Sequence, residues 1–231
     1  MADLIENYYR PVEETENFLL IDKLPGVVAQ GVEHSLFSHL SRLYPDTGLF
    51  PVHRLDKITS GLMLLAKNSQ AARELSNQFA VRQTDKFYLA ISDRKPRKKQ
   101  GGILGDMAAA RRGSWKLLKT TENPAFTQFF SESLSPGKRL FLLRPLTGKT
   151  HQLRVALKSI GAPILGDQRY GSSGADRGYL HAFALGFNFQ GNYHSYQCLP
   201  REGKYFQGTD FQRALAGFRM PRELPWPRTR S

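Results

Sequence analysis

The sequence predicts an α+β fold, a single domain on a largely antiparallel mixed sheet with flanking helices. Three observations predict it. The chain has 231 residues, 40% of them hydrophobic and 23% charged, which suffices for a real core and suits one large domain or two small ones. Short strand-like runs interleave with a few helical ones, without the regular strand–helix–strand beat of a parallel sheet. A turn cluster, Ser135-Pro136-Gly137-Lys138, separates two apolar runs in the manner of an antiparallel hairpin.

In chain order, Phe18-Leu19-Leu20-Ile21-Asp22-Lys23 reads as a strand stopped by Pro25-Gly26. Residues 35–43 place Leu36, Phe37, Leu40 and Leu43 at helical spacing. Residues 61–67 read as a buried strand. Residues 69–79 follow as a helix capped by Ser69, with Ala72, Leu75 and Phe79 on its apolar face. Residues 86–91 form another strand, and residues 127–131 and 138–144 form the hairpin. Residues 151–160 space Leu153, Leu157 and Ile160 as a helix that ends at Gly161-Ala162-Pro163. Residues 179–189 read as strand. From Pro200 to residue 231 Pro and Arg dominate a basic C-terminal tail, whose last stretch, PRELPWPRTRS, is expected to be extended or mobile. The whole of 1–231 is expected to form one domain, with its motif-bearing core at about 17–190.

Composition excludes several classes. Cys198 is the only cysteine, so a disulfide scaffold and a Cys-ligated zinc or iron–sulfur site are excluded, and a reducing cytoplasm fits. The beginning, MADLIENYYR, lacks the pattern of a signal peptide. The longest apolar run, Gly61-Leu62-Met63-Leu64-Leu65-Ala66, falls far short of the ~18 residues a spanning helix requires. A soluble cytoplasmic protein without a membrane partner is expected.

The net charge is +13 and unevenly spread. Residues 1–50 carry three basic and eight acidic side chains, whereas residues 94–119 carry nine basic ones against Asp106 alone. That stretch reads as a basic loop and a footprint for a polyanion. A solvated loop that merely aids solubility is the plainer reading. A membrane-surface helix fits poorly, because Pro96, Gly101 and Gly102 break any amphipathic period.

Two segments concentrate polar groups among turn residues. Pro51-Val52-His53-Arg54-Leu55-Asp56-Lys57-Ile58-Thr59-Ser60-Gly61 leads straight into a buried strand, which holds its side chains rigidly. Arg144-Pro145-Leu146-Thr147-Gly148-Lys149-Thr150-His151-Gln152-Leu153-Arg154 runs from a strand into a helix N-terminus rich in backbone donors. Asp56, flanked by Arg54 and Lys57, suits a nucleophile kept charged by its neighbours. It equally suits a cap on the turn Asp56-x-x-Thr59.

The segment His53-Arg54-Leu55-Asp56-Lys57-Ile58-Thr59-Ser60-Gly61-Leu62 resembles the catalytic signature of the RluA family of pseudouridine synthases. Lys86-Phe87-Tyr88 resembles the family's Lys-x-Tyr strand, and residues 144–154 its Thr-Gly-Arg-x-His-Gln segment. Leu165-Gly166-Asp167-Gln168-Arg169-Tyr170-Gly171 and Leu180-His181-Ala182 resemble later motifs, in the family's order. Departures are the extra Leu24 before Pro25, Lys149 where Arg is usual, and Ala156 where His is common. The resemblance implies a catalytic domain without the small N-terminal RNA-binding domain that some relatives carry.

The resemblance implies an isomerase that exchanges the C1′–N1 bond of uridine in RNA for C1′–C5, without cofactor or metal. Asp56 is then the catalytic carboxylate, acting as nucleophile at C1′ or as base at C2′. Tyr88 stacks on the target base and assists loss of the C5 proton, and Arg154 pairs with Asp56 to keep it ionised. Arg54 fills the gap left when the uridine is flipped out, a step required because C1′ and C5 are inaccessible in a stack. Lys57, Lys86, Lys98, Lys99, Arg144, Lys149 and His151 complete the expected RNA contacts. The expected partner is a stem-loop of ribosomal or transfer RNA, met by a monomer. Two other classes were weighed. A metal-dependent hydrolase would use His53, His151, His181, Asp56 and Asp167, whose spacing matches no ligand pattern. A non-catalytic RNA-binding module would not need Asp56, Tyr88 and Arg154 together.

Overall fold

The computed structural model describes residues 8–171 and 174–227, which cluster into two compact units. The first comprises residues up to Lys86 together with His181–Pro200, and the second comprises Phe87–Leu180 and the segment from Arg201. The fold is α+β, as expected, with four α-helices among the described residues and strands that pair antiparallel in every register described below.

In the first unit, β1 (Tyr9–Glu14) pairs with β2 (Phe18–Lys23), and β2 pairs with β4 (Thr59–Ala66). The two-residue β3 (Phe50–Pro51) also pairs with β4. On the other side of β4 lies β11 (Leu180–Phe189), which pairs in turn with β12 (Asn192–Gln197). Helix α1 (Leu36–Leu43) is capped by Ser35, whose side chain accepts from the Ser38 N–H. Helix α2 (Ser69–Ala80) lies against β3 and β4. Its cap is Asn68 rather than Ser69: the Asn68 carboxamide oxygen accepts from the Ala71 N–H at 2.9 Å, one position earlier than expected. The core joins Phe18 and Leu20 of β2, Leu62, Leu64 and Ala66 of β4, Ala71 and Leu75 of α2, and Leu185 and Phe187 of β11. All eight residues of β4 are buried. The chain that emerges from its first residue is thus anchored along its whole length.

The second unit holds β5 (Asp85–Ser92) from Phe87 onward, β10 (Lys138–Pro145), β9 (Ala125–Ser135) and β6 (Gln100–Gly105), paired in that order. The β9–β10 turn is the expected hairpin at residues 135–138, with Lys138 opposite Ser135. A separate two-stranded ribbon pairs β7 (Met107–Ala109) with β8 (Trp115–Leu117). The stretch expected as a basic loop is therefore largely strand from Gln100 to Leu117, because β6 gains a full set of ladder bonds from β9. Helix α3 (Gln152–Ser159) follows the segment after β10.

The segment after Pro200 holds an element the sequence reading did not name: helix α4 (Gly208–Leu215) lies between two 3-10 turns, ahead of the expected extended stretch at 221–231. Phe206, Phe211, Leu215 and Phe218 are buried. Trp226 stacks on Phe87 with ring centroids 5.7 Å apart and donates its indole N–H to the Pro221 carbonyl at 2.7 Å. Residues 228–231 of that expected tail, like residues 1–7, lie outside the described residues. No helix among the described residues is long and apolar enough to cross a membrane.

Candidate active site

In the first unit, the polar segment before β4 is a turn held from below. Val52 and Leu55 are buried, Asp56 is half-buried, and Arg54 and Lys57 are exposed. The Thr59 N–H donates to the Asp56 backbone carbonyl at 3.0 Å, and the Gly26 N–H donates to the Lys57 carbonyl at 2.9 Å. Two backbone hydrogen bonds thus close the turn. His53 fastens the turn to the sheet: its Nε2 accepts from the Leu64 N–H at 2.9 Å, and its ring stacks on Phe79 at 4.4 Å. Burial, aided by the charge of Lys86, presses its pKa down to about 3, so the imidazole stays neutral and remains an acceptor. The lowered pKa fits the bond, since a protonated ring could not accept it.

Gly61 is required by geometry. Its φ is +104°, and a Cβ there would collide with the backbone of Ala182, so β4 and β11 approach closely just behind the turn. Beside it, Ser60 Oγ lies 2.7 Å from His181 Nδ1, and His181 Nε2 lies 2.8 Å from the Cys198 carbonyl oxygen. A carbonyl only accepts, so Nε2 carries the proton and Nδ1 accepts from the serine hydroxyl. Both ring nitrogens of His181 are thus engaged in structure.

Sequence reasoning left Lys23 without a role, although it quoted the segment around it. Lys23 is fully buried. Its ammonium donates to the carbonyls of Leu24 and Val27, each at 2.8 Å. It thereby fixes the loop whose Gly26 N–H holds the turn around Asp56.

In the second unit, Tyr88 is half-buried on β5, opposite Leu143 of β10. Arg154 sits on α3 and is clamped by Asp167: Nε and Nη2 donate to the two carboxylate oxygens at 2.7 and 2.9 Å. Asp167 also accepts the N–H groups of Arg169 and Tyr170. The Tyr170 ring lies 4.9 Å from the Arg154 guanidinium carbon, a cation–π contact on a planar cation. The expectation for Arg154 named Asp56 alone, so the Asp167 clamp is what sequence reasoning missed. The available signal was Gly166-Asp167 in a turn: Gly166 has φ +75° and no room for a Cβ.

The segment 147–152 is closed on itself. The Thr147 hydroxyl donates to Gln152 Oε1 at 2.6 Å, and the Lys149 N–H donates to the same oxygen at 3.0 Å. Gln152 Nε2 donates to the Phe126 carbonyl and to Thr127 Oγ1, each at 3.0 Å. The backbone donors expected at this helix N-terminus are thus partly spent within the loop. His151 caps α3 in the left-handed region, φ 57°, with Nδ1 2.9 Å from the Tyr170 hydroxyl.

The remaining expected RNA contacts fall into two groups. Lys98 and Lys99, with Arg54 and Lys57, are exposed. Lys86, Arg144 and Lys149 are half-buried and make local contacts: Lys86 over the Phe79 ring, Arg144 over Phe87 and Trp226, Lys149 Nζ to Asn123 Oδ1 at 2.9 Å. Burial and the neighbouring Arg82 lower the pKa of Lys86. Among the described residues no group of three His, Cys, Asp or Glu is placed to hold a metal ion.

A family model described as RNA pseudouridylate synthase matches residues 17–159. The chain is 47% identical over 199 residues to an uncharacterized RNA pseudouridine synthase of Haemophilus influenzae, covering 84% of this chain and 89% of that one. It is 33% identical over 202 residues to the dual-specificity RNA pseudouridine synthase RluA of Salmonella typhi, covering 78% of this chain and 90% of the relative. Among solved structures, human RNA pseudouridylate synthase domain containing 1 superposes with a TM-score of 0.71 at 26% identity, covering 82% of each chain.

Proposed function

This chain belongs to the RNA pseudouridylate synthase family, as an RluA-type isomerase acting on RNA, and on that premise we propose that it converts particular uridines of structured ribosomal or transfer RNA to pseudouridine, with Asp56 as the catalytic carboxylate. Residues 1–231 serve as one catalytic domain, monomeric and cytoplasmic. The observation that carries the assignment is the folded form of the ten-residue signature: backbone bonds and His53 hold the turn, and it presents a half-buried carboxylate between two exposed cations, Arg54 and Lys57.

In the reaction the C1′–N1 bond breaks, the uracil turns, and C1′–C5 forms. The proton lost from C5 is balanced by one gained at N1, so no oxidant or reductant is consumed. Asp56 acts at the ribose, either on C1′ or on the C2′ proton. Tyr88 stacks on the base and assists removal of the C5 proton. Arg154, aimed by Asp167, keeps the catalytic carboxylate ionised. Arg54, exposed on the turn, occupies the place of the flipped uridine.

Asp56→Asn is the test. It removes the charge and the nucleophile while keeping size, and Asn serves turns nearly as well as Asp. Pseudouridine formation on stem-loop RNA is expected to fall to background, with thermal stability and RNA affinity nearly unchanged. Near-normal turnover in this variant overturns the assignment.

A further inference from the structure

The second unit contains a cleft of about 550 Å3 beside the β7–β8 ribbon, lined by Met107, Trp115, Leu118, Glu122, Asn123 and Lys149. Its size lies within the ~300–1,000 Å3 of small-ligand sites. Asp56, Tyr88, Arg154 and Arg54 do not line it, whereas Lys149, an expected RNA contact, does. Resting on the RNA-isomerase reading, we propose that this cleft is a second base-binding site, holding one unstacked nucleobase of the RNA other than the uridine being isomerised, with Trp115 as its stacking platform.

The walls are built before any ligand arrives. The Trp115 N–H donates to the Tyr170 hydroxyl at 2.8 Å, and Arg169 Nη1 donates to the Arg112 carbonyl at 2.6 Å, so the ribbon is tied at two points. On the opposite wall, Asp106 accepts the N–H groups of Glu122 and Asn123 at 3.0 and 2.8 Å. A hydrogen bond from Thr120, followed by those two, lowers the Asp106 pKa, so the carboxylate stays ionised and keeps the loop in place. Lys149 Nζ bonded to Asn123 Oδ1 bridges this loop to the segment before α3. Binding costs less when the site need not be ordered first.

Charge decides which part of a nucleotide belongs inside. The lining includes the carboxylates of Asp106 and Glu122, which repel phosphate but accept from the N–H groups on base edges. The cations Arg111, Arg112, Lys116 and Lys119 are exposed along the same ribbon, where they meet phosphates. An indole with a methionine thioether and a leucine beside it offers the flat apolar surface on which a base stacks. Phosphate outside and base inside is the arrangement these signs allow.

The test compares binding of oligouridylate with that of a length-matched abasic oligoribose phosphate, by fluorescence anisotropy at fixed salt. The wild-type protein is expected to prefer the base-bearing probe. Trp115→Leu keeps apolar bulk but loses the aromatic face, and is expected to cut that preference about tenfold, since each base–aromatic stack contributes on that order. Trp115→Phe is expected to retain most of it. Lys116→Gln with Lys119→Gln is expected to weaken both probes alike. An unchanged preference in Trp115→Leu, including equal weakening of both probes by that variant, overturns the proposal. Neither probe requires turnover, so a failure of the isomerase reading would appear separately, as absent pseudouridine with the base preference intact.

Discussion

Residues 52–59 of the first unit and residues 147–154 of the second each carry charged groups given roles in the proposed reaction, and each segment is held by different forces. The first turn rests on buried Val52 and Leu55, two backbone hydrogen bonds and a neutral histidine. The second segment delivers Arg154 through a bidentate pair with a carboxylate that is itself fully buried. The difference teaches where charge can be changed safely. A carboxylate that does chemistry is best held by neutral groups, because its own ionisation then does not disturb its support. A cation that acts on another group is best held by an opposite charge that fixes its direction.

The largest effect that can break this comparison is the same chemical change made in both places. Asp167→Asn leaves the buried Arg154 without its bidentate carboxylate, and removing one partner of a buried pair typically costs about 3–5 kcal/mol. Asp56→Asn, on a turn closed by backbone groups, is expected to cost under about 1 kcal/mol, as exchanges between good turn residues do. Urea unfolding of the two variants measures the contrast. Equal losses would show that the Asp56 carboxylate shapes its turn, and that the two regions do not differ in kind.

What was legible in the sequence follows the same division. Strand β2 and the β9–β10 hairpin were readable because local pattern and tertiary outcome agree there. Ser35 was within reach as the α1 cap, but Asn68 and Ser69 are adjacent residues of equally good capping type, so sequence alone does not choose between them. Strand β1 went unread: Tyr-Arg-Pro-Val-Glu-Glu has one buried residue and a proline at an irregular position, tolerated on an edge strand. Strand β6, Gln-Gly-Gly-Ile-Leu-Gly, has little intrinsic preference and exists because β9 offers it partners. In the site, the signature around Asp56 was visible as a run of residues. The Asp167 clamp on Arg154 was not, since it is made by a turn outside the helix that carries the arginine. Residues 204–218 concealed a helix because arginine- and proline-rich flanks masked the periodic Phe206, Phe211, Leu215 and Phe218.

An intermediate effect concerns His53 and pH. Its folded pKa is lowered to about 3, below the ~6.5 of an unfolded histidine. Below pH 6.5 the unfolded chain therefore binds a proton that the folded protein refuses, and stability falls with falling pH. The slope reaches at most about 1.4 kcal/mol per pH unit between pH 6 and pH 4. His53→Gln cannot bind that proton, and its side-chain oxygen can still accept from the Leu64 N–H. The variant is expected to be less stable than wild type at pH 7, through loss of the stack on Phe79, yet to lose less stability on acidification. Chemical denaturation at pH 7, 6, 5 and 4 gives both curves. Parallel curves would mean that His53 is protonated in the folded protein, and that the first turn depends on charge after all.

The smallest effect on the fold belongs to cations that neither region uses for support. Lys98 and Lys99 are exposed at the start of β6. There the Lys99 carbonyl, not its ammonium, makes the structural contact, accepting the Ser131 N–H at 2.7 Å and the Ser131 hydroxyl at 2.9 Å. Replacing both side chains with Gln is therefore expected to change stability by less than about 0.5 kcal/mol, as surface substitutions usually do. Binding is another matter. If each ammonium meets a phosphate, its loss lowers the slope of log affinity against log salt by about 0.7–0.9. Sequence preference should stay the same, because such contacts position RNA without reading it. A salt titration of the double variant against wild type, on one stem-loop RNA, measures the slope directly. An unchanged slope would place these lysines away from RNA and confine the electrostatic contact to the cations of the turn and the ribbon. A slope reduced by nearly twice the single-contact value would show that this exposed edge acts purely through charge, unlike the turn around Asp56, which rests on buried Val52 and Leu55.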